Sequence, residues 1–299
     1  EGEAGVETPL APRGLVSNFT RPAYLEALKK VKEYIAAGEV YQVNLSQRFT
    51  APLTGSSFDL YRRLRSISPA PFSAFLRFPE LAVGSSSPER FLRIEEDRIE
   101  TRPIKGTRPR GRTAAEDREF RSELLASAKD QAEHIMIVDL ERNDLGTVSR
   151  YGTVHVPEIT ACEEYSTVFH LTSTVEGRLK MGITPVQALA ACFPGGSITG
   201  APKIRALSII DELEPTRRGI YTGALGYLGF DGSADLSVVI RTFVAHRGRV
   251  HFQVGGGIVA DSDPEAEFQE TLDKAAGFLR AIQGERGDEG CGPPGWTGP

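Results

Sequence analysis

The sequence is poor in the residues and runs that build disulfide frameworks and membrane spans. Only three cysteines, Cys162, Cys192 and Cys291, are scattered through 299 residues, without metal-ligand spacing. They fit a reducing, cytoplasmic location better than a disulfide framework. No run approaches the roughly 18–20 apolar residues of a membrane span, and no secretory signal opens the chain. The net charge of −5 argues against a general nucleic-acid binder, because phosphate contacts need a basic surplus.

The sequence also lacks the glycine patterns that bind nucleotides. Two stretches are rich in glycine, "PGGSITGAPK" at 194–203 and "VGGGIV" at 254–259. Neither has the spacing of a P-loop, and no GxGxxG stands between a strand and a helix. Backbone N–H groups in such stretches either belong to ordinary turns or cradle a carboxylate or phosphate. Both interpretations stay open at this point.

Composition separates a central region from two polar ends. Residues 1–18 are rich in Pro, Gly and Glu and predict a disordered linker, and residues 284–299 predict a disordered tail. The region 19–283 predicts one domain in which runs of adjacent strands are separated by helices, without a strict alternation of single strands and helices. Such runs favour an α+β fold with large antiparallel sheets over a doubly wound fold.

Local patterns predict the main elements. Thr20 is placed to cap a helix that stops at Gly38. A helical period covers about 114–141, and a last helix runs over 264–283. The segments "GIYTGALGYLGF", "ADLSVVIRTFVAH" and "RVHFQVGGGIV" predict three consecutive antiparallel strands.

Two pairs of acidic residues have the spacing of one helix face. Asp130 and Glu133 are three residues apart, and Glu267 and Glu270 repeat that spacing on the last predicted helix. If the two faces meet, a hard divalent cation such as Mg²⁺ would neutralise them through oxygen ligands. If they do not meet, both pairs belong to solvated helix faces.

A basic loop is predicted at 102–112. A run of charge is usually a solvated face, and its alternative is a clamp for an anionic small molecule. His170, in the strand pattern "VFHLTST", is either a satisfied core residue or a catalyst. The five cations of the loop are Arg102, Lys105, Arg108, Arg110 and Arg112.

Taken in order, these motifs resemble the chorismate-utilising enzymes, which include the component I subunits of anthranilate and aminodeoxychorismate synthases and their isochorismate and salicylate relatives. The similarity covers about residues 20–283. The family implies a four-layer α/β/β/α sandwich with two orthogonally packed antiparallel sheets, and Mg²⁺ and chorismate between them. The motifs that carry the resemblance are "GEVYQVNLSQRF", "SSSPERFL", "RPIKGTRPRG", "AEHIMIVDLERNDLG", "VFHLTSTVEG", "FPGGSITGAPKIRA", "RRGIYTGALGY", "VVIRTF", "VGGGIVADS" and "EFQETLDKA".

The resemblance implies a metal site made by both acidic pairs. Glu133 and Glu270 match the direct Mg²⁺ ligands of the family. Asp130 and Glu267 match the acids that reach the ion through water. Glutamate is common at the position of Asp130, so the shorter side chain is a departure that would loosen this outer contact.

The resemblance also implies substrate contacts and catalytic residues. His170 matches the histidine near the departing hydroxyl of chorismate, and Glu89 matches the acid implicated in proton transfer there. The remaining matches hold the ring carboxylate or the enolpyruvyl side chain: Gly106, Ser197, Tyr221, Arg241, Gly255 and Gly257.

Two positions distinguish the members of the family by their nucleophile. Isochorismate and salicylate synthases carry a water-activating lysine where this chain has Gln42, so water activation is not expected here and Gln42 is expected to contact the substrate instead. Anthranilate synthases read "PIAGT" where this chain reads "PIKGT", as aminodeoxychorismate synthases do. Lys105 is therefore expected to attack C2 of chorismate as a neutral amine, which the neighbouring cations Arg102 and Arg108 and a desolvated cleft would favour.

The expected function is the synthase subunit of aminodeoxychorismate synthase, which makes 4-amino-4-deoxychorismate for folate and 4-aminobenzoate biosynthesis. The chain shows no glutaminase cysteine, so the resemblance implies a glutamine amidotransferase partner that supplies ammonia. The closest alternative is anthranilate synthase component I, which shares every motif except the lysine. A second alternative is an inactive fragment that binds chorismate or docks the amidotransferase, because the chain has no initiator methionine and begins close to the first helix.

Overall fold

The computed structural model describes residues 12–165 and 168–285. Its helices are α1 (Arg21–Ala36), α2 (Ser57–Ile67), α3 (Ala114–Ala126), α4 (Ala128–Val148), α5 (Pro185–Cys192), α6 (Lys203–Leu213) and α7 (Pro264–Ile282). Its strands are β1 (Val16–Ser17), β2 (Gln42–Pro52), β3 (Phe72–Arg77), β4 (Leu81–Ser87), β5 (Arg90–Glu95), β6 (Arg98–Arg102), β7 (Ile104–Pro109), β8 (His155–Glu164), β9 (Val168–Arg178), β10 (Gly200–Ala201), β11 (Ala224–Leu228), β12 (Ala234–Val238), β13 (Thr242–His246) and β14 (Arg249–Ile258). None of the helices in the described ranges is long and apolar enough to cross a membrane.

The single domain predicted over 19–283 divides into two compact units. The first unit takes residues 12–88, 198–222 and 239–285 of the described chain, and the second takes 89–197 and 223–238. Each unit contains one antiparallel sheet and its own helices, so the α+β class with two antiparallel sheets is confirmed.

The first unit is built on the sheet β1-β2-β14-β13-β4-β3, with β10 paired to β2. Three aromatic rings form a stack that begins on the sheet and ends on α7. The Phe49 and Phe252 ring centroids are 5.4 Å apart, and those of Phe252 and Phe278 are 4.4 Å apart at an interplanar angle of 13°. The stack fixes α7 against β14, which positions the acidic residues that α7 carries.

The second unit is built on the sheet β11-β12-β5-β6-β9-β7, with β8 paired to the other side of β9. Phe169 and Leu171 on β9 pack with Leu124 of α3 in a small buried cluster. This cluster positions α3 against the strands β7 and β9 that carry the predicted catalytic residues. The strand β8 was absent from the sequence expectation, and it is interrupted by two register shifts.

Three sequence expectations are wrong in detail. The basic loop is the strand β7, paired antiparallel with β9. The helical period over 114–141 is two helices, because the Ser127 side chain accepts a hydrogen bond from the Asp130 backbone N–H and starts α4. The run 234–246 is two strands, β12 in the second sheet and β13 in the first, separated near Arg241, whose φ is +51°.

The linker predicted over 1–18 is wrong at its C-terminal end. Val16 and Ser17 form β1 opposite Thr50 and Phe49, and Leu15 is buried. The averaged Pro, Gly and Glu content of the segment obscured this short apolar piece. Residues 1–11 of that linker and 286–299 of the predicted tail lie outside the described residues.

The local prediction for the start and end of the first helix is confirmed. Thr20 caps α1 by accepting a hydrogen bond from the Ala23 backbone N–H, and Gly38 follows the helix with a φ of +76°. Cys162 and Cys192 form no disulfide in the described part of the chain, and Cys291 lies outside it.

Candidate active site

Lys105 is held by a bulge in β7. The register of β7 against β9 shifts between Lys105 and Thr107, and Gly106 has a φ of +75°. A Cβ at Gly106 would lie 3.0 Å from Leu124 Cδ1 and 3.3 Å from Leu171 Cδ1. Glycine is therefore required here both by the backbone conformation and by the close approach of its neighbours. The bulge redirects the chain beside Lys105, whose side chain is only 14% exposed.

The acidic residues at the start of α4 face the cations of β7. Lys105 Nζ lies 3.4 Å from Glu133 Oε2, and Lys129 Nζ lies 3.9 Å from Glu133 Oε1. Arg108 donates to Asp130 Oδ2 at 3.1 Å. The predicted shared face of Asp130 and Glu133 is confirmed, and each residue has a basic partner from β7.

The expectation that surplus positive charge surrounds Lys105 is wrong. Arg102 lies 2.5 Å from Glu163, and Arg108 also binds Glu123. Arg110 likewise forms an ion pair with Asp117. The basic segment is thus largely neutralised inside the second unit, so it is neither a solvated face nor, as it stands, an open anion clamp.

Glu89 is a buried acid beside this segment. It directly precedes β5, and its Oε1 accepts a hydrogen bond of 2.5 Å from Ser197 Oγ. Burial raises the pKa of Glu89 to about 7, although the bond from Ser197, the charge of Lys105 and the Ile104 backbone N–H all lower it. A carboxylic acid that titrates near neutral pH can both donate and accept a proton, as a general acid–base catalyst must.

His170 lies on β9 in the same unit. Its Nδ1 is 2.9 Å from Thr107 Oγ1, and its ring meets the Tyr165 ring edge-on with centroids 5.4 Å apart. These contacts hold the imidazole plane in one orientation. The register that pairs Thr107 with His170 also pairs Lys105 with Leu171, so His170 and Lys105 come from adjacent rungs of one ladder.

Tyr221 and Arg241 belong to the first unit. Burial raises the pKa of Tyr221 to about 12, so the phenol is a neutral hydrogen-bond donor at ordinary pH. Arg241 Nη1 donates to the Lys274 backbone carbonyl at 3.1 Å, and burial lowers the pKa of Arg241. Its φ of +51° is unusual for a residue with a side chain, and such strained positions concentrate at functional sites.

Gln42 begins β2 in the first unit. Its side chain is completely buried, and neither amide atom has a hydrogen-bond partner among the described residues. An unpaired buried amide costs on the order of 1–3 kcal/mol. The amide can be satisfied by a bound polar molecule, which fits the substrate contact expected of Gln42.

Two carboxylates converge over the glycine-rich end of β14. A Cβ at Gly256 would lie 3.0 Å from Glu267 Oε2 and 3.7 Å from Glu270 Oε1. Glu267 is buried and accepts a hydrogen bond from Ser262 Oγ at 2.7 Å. A side chain at Gly256 would crowd the Glu267 carboxylate and would lie at ordinary contact distance from that of Glu270.

Comparisons with known proteins agree with these motifs. Residues 3–280 match the family described as chorismate binding enzyme. The chain belongs to the chorismate-binding enzyme family. It is 51% identical over 267 residues to anthranilate synthase component 1 of Thermus thermophilus, covering 89% of this chain and 58% of the relative. It is 46% identical over 265 residues to aminodeoxychorismate synthase component 1 of Bacillus subtilis, covering 89% and 56%.

A solved structure of this family has the same fold. Anthranilate synthase component I from Streptococcus pneumoniae superposes with a TM-score of 0.83 at 38% sequence identity, over 92% of this chain and 61% of that one. The chain therefore spans somewhat more than half the length of the relatives it matches.

The four carboxylates predicted to bind Mg²⁺ are described as two pairs, one in each unit, and carboxylate oxygens are the donors that a hard cation takes. Glu267 and Glu270 supply oxygen donors over Gly256, where a Cβ would fill the space, and Asp130 and Glu133 supply oxygen donors on α4. Within residues 12–165 and 168–285, no group of three or more His, Cys, Asp or Glu side chains is arranged to hold a metal ion. The four-carboxylate Mg²⁺ site stays a prediction.

Within each unit, the structure brings together several of the residues predicted from the family motifs. In the second unit, Lys105 lies within reach of Glu133, and its charge acts on Glu89. Ser197 contacts Glu89 directly. The contacts of Gly106, Ser197, Tyr221, Arg241, Gly255 and Gly257 with a substrate stay predictions.

Sequence reasoning missed three residues that position the predicted ones. Thr107 contacts His170 and Ser262 contacts Glu267. Lys274 contacts Glu270 Oε1 at 2.5 Å and donates to the Gly255 carbonyl. The i,i+4 spacing of Glu270 and Lys274 is the one signal that could have found a member of this set.

Proposed function

We propose that this chain is the synthase component of an enzyme that replaces the C4 hydroxyl of chorismate by an amino group, giving 4-amino-4-deoxychorismate. The observation that carries the proposal is a nearly buried lysine at the β7 bulge, beside Glu133 and within the electrostatic reach of the neutral-range acid Glu89. A lysine in solvent does not need a defined position, whereas Lys105 is fixed by a bulge whose backbone conformation favours glycine at position 106.

In the first proposed step, Lys105 acts as the nucleophile. Its neutral amine forms a bond to C2 of chorismate while both ring double bonds shift toward C4 and the C4–O bond breaks. Glu89 gives its proton to the departing hydroxyl, which leaves as water. This step leaves a protonated secondary amine on C2 and an ionised Glu89.

In the second proposed step, ammonia attacks C4 and expels the amine of Lys105 from C2. Both ring double bonds return to their original positions, Lys105 is released neutral, and the new ammonium group gives a proton to Glu89. The sum consumes chorismate and ammonia and produces the aminated ring and one water. Two successive displacements place the nitrogen at C4, whereas direct attack at C2 would give the anthranilate precursor.

Other residues of the chain would bind and orient the substrate. Tyr221 would donate to the enolpyruvyl carboxylate as a neutral phenol. Arg241 would donate to the same carboxylate through a guanidinium that is held by the Lys274 carbonyl of α7. The buried amide of Gln42 would find a polar partner in the substrate. His170, oriented by Thr107, would stand near the departing hydroxyl.

The amides of Gly255 and Gly257 and the Gly106 backbone complete the proposed substrate contacts. Ser197 would turn from Glu89 toward the ring carboxylate. The carboxylates Glu133, Glu270, Asp130 and Glu267 would hold Mg²⁺. The ion, when bound, would supply electrostatic stabilisation to the ring carboxylate.

The proposed partner is a glutamine amidotransferase subunit. Ammonia is mostly ammonium at neutral pH, so an amination of this kind needs a local source of the free base. The relatives are named component 1, which supports a second component. We propose that the pair acts in the cytoplasm, in 4-aminobenzoate and folate formation.

Anthranilate synthase component I is the second candidate, and the comparisons favour it at least as strongly. The Thermus relative, at 51% identity, bears that name, whereas the Bacillus aminodeoxychorismate synthase is 46% identical. The S. pneumoniae structure is also an anthranilate synthase. Lys105 is the residue that separates the two candidates.

Product identity tests the proposal. The purified chain would be incubated with chorismate, Mg²⁺ and ammonium at mildly alkaline pH, with and without an added 4-aminodeoxychorismate lyase. Chromatography with mass detection should show 4-aminobenzoate only when the lyase is present. Anthranilate formed without the lyase would assign the second candidate instead.

Two lysine variants test the covalent role. Lys105→Ala should abolish the product or divert it to C2, whereas Lys129→Ala removes the more exposed lysine beside the same Glu133 and should keep product and regiochemistry. An unchanged Lys105→Ala enzyme would refute the nucleophile. If the wild-type chain makes no product but binds chorismate in calorimetry, it is the inactive chorismate-binding fragment given above as the second alternative.

A further inference from the structure

A cavity of about 250 Å³ lies within the first unit, on strands β2, β13 and β14 and the segment after α6. Its lining includes three arginines and a histidine: Arg48, Arg217, Arg218 and His251. Of the predicted chorismate contacts, Tyr221 is the one that lines it. Within the described part of the chain, none of the lining residues carries a carboxylate.

One of the arginines is already neutralised. Arg218 forms an ion pair with Glu214 at 2.7 Å and donates to the backbone carbonyls of Asn44 and Ile198. Glu214 also accepts hydrogen bonds from the Ser46 backbone N–H and hydroxyl, so its carboxylate is already bound by Arg218 and Ser46. Among the described lining residues, Arg48 and Arg217 are the arginines without a recorded ion pair, so the positive charge of the cavity rests on them.

Arg48 presents an unused donor. Its Nε is buried and has no hydrogen-bond partner among the described residues. A buried donor without an acceptor is unfavourable, and a guanidinium binds carboxylates through a planar pair of N–H groups. An anionic ligand would satisfy the donor and the charge together.

His251 lies in positively charged surroundings. Its Nδ1 lies 2.9 Å from Thr50 Oγ1. Burial lowers the pKa of His251 most, and the charges of Arg48, Arg249 and His246 lower it further. Every charged neighbour that acts on this imidazole is basic, which supports a positive potential at the cavity.

The rest of the wall carries no charge, is mostly apolar apart from Thr242 and Gln253, and encloses a small space. Ile220, Val239 and Val244 line the cavity between the polar groups. A volume of about 250 Å³ is below the roughly 300–1,000 Å³ of drug-sized pockets. The size suits a compact molecule with one charged end and an apolar body.

We propose that this cavity is a second ligand site of the chain, which binds a small organic carboxylate with its charged group on Arg48 and its apolar body against Ile220 and Val244. The site is separate from the chorismate contacts proposed above except for the shared wall residue Tyr221. A ligand bound in the cavity would therefore contact Tyr221, which is also a predicted chorismate contact. The inference stands whether the amination occurs at C4 or at C2.

Calorimetric titration of the chain with benzoate at fixed ionic strength tests the site. We expect saturable binding that Arg48→Gln weakens about tenfold, because a charge-assisted hydrogen bond is lost. Arg62→Gln, which removes an exposed arginine on α2 away from the cavity, is the matched control and should leave binding unchanged. Arg241→Gln, which alters a predicted chorismate contact, should also leave it unchanged.

Each other outcome overturns the inference. Loss of benzoate binding in Arg241→Gln but not in Arg48→Gln would assign the binding to the proposed chorismate site. Equal loss in Arg62→Gln would show non-specific attraction to charge. Equal competition by inorganic phosphate would show a general anion site without a role for the apolar wall. If the wild-type chain gives the circular dichroism spectrum of a folded protein but shows no saturable binding of benzoate, the proposed site is refuted.

Discussion

Replacing Gly106 by alanine tests the geometry that holds Lys105. Gly106 forms the bulge of β7, with a φ of +75°. Its missing side chain lets Leu124 Cδ1, Asp130 Cβ and Leu171 Cδ1 approach to 3.0, 3.3 and 3.3 Å from the position a Cβ would take. Alanine must therefore adopt a left-handed conformation and displace side chains from α3, α4 and β9 at once.

The two penalties can be estimated separately. A left-handed backbone costs an ordinary residue roughly 1–2 kcal/mol. Forcing one extra carbon into a packed environment typically costs about 1–3 kcal/mol. Gly106→Ala should therefore reduce the free energy of unfolding by about 2–5 kcal/mol.

Gly152 offers a matched control. It has the same φ of +75° and lies in the same unit, but a Cβ there would meet nothing within 4 Å. Gly152→Ala should cost only the backbone term, roughly 1–2 kcal/mol. Urea unfolding followed by circular dichroism, with linear extrapolation and equal slopes for all three proteins, measures both free energies.

The difference between the two variants isolates the packing at the bulge. We expect Gly106→Ala to be less stable than Gly152→Ala by about 1–3 kcal/mol. Equal losses in the two variants would refute the close approach of Leu124 and Leu171 to the β7 bulge. The argument that the fold fixes Lys105 would then fail as well.

Three further predictions follow from burial. Because the pKa of Glu89 is raised to about 7 in the folded chain, the folded state binds the proton more tightly, and wild-type stability should fall by up to about 3 kcal/mol between pH 5 and 8. Urea titrations across that range should show that Glu89→Gln removes this loss, and a parallel pH dependence in both proteins would contradict it. Ser197→Ala removes a bond that lowers the same pKa, so the alkaline limb of kcat/KM should move to higher pH; an unmoved limb argues against Glu89 as the acid. Phe278→Ala opens the aromatic stack and should cost about 3–5 kcal/mol in urea unfolding, whereas the exposed Phe230→Ala should cost almost nothing.

Local sequence signals predicted the ends of a helix correctly where a single residue has a single structural role. Thr20 starts α1 through its own side chain, and Gly38 ends it by accepting a positive φ. The spacing of Asp130 and Glu133 placed them on one face of α4, as three residues along a helix must be. Local signals failed at Ser127, because this capping serine divides into two helices a segment whose apolar residues keep a helical spacing throughout.

The β7 segment was mistaken for a loop because its charges obscured its pairing. Gly106 and Pro109 belong to residue types that are depleted in strands, and it is the pairing with β9 that makes the segment extended. The same ladder places Thr107 on His170, a contact across 63 positions of sequence that no local pattern contains. The carboxylates that neutralise the arginines also come from α3, α4 and β8, so the electrostatics depended on packing.

The sequence by itself determined the family, the types of most elements and the residues that could do chemistry, because motif order and short-range spacing are properties of the chain. Tertiary structure alone decided how those residues behave. Burial raised the pKa of Glu89, strand register oriented His170, and the packing of α7 on β14 brought Glu267 and Glu270 over Gly256. Desolvation and distance act between residues far apart in sequence, and only the folded chain fixes them.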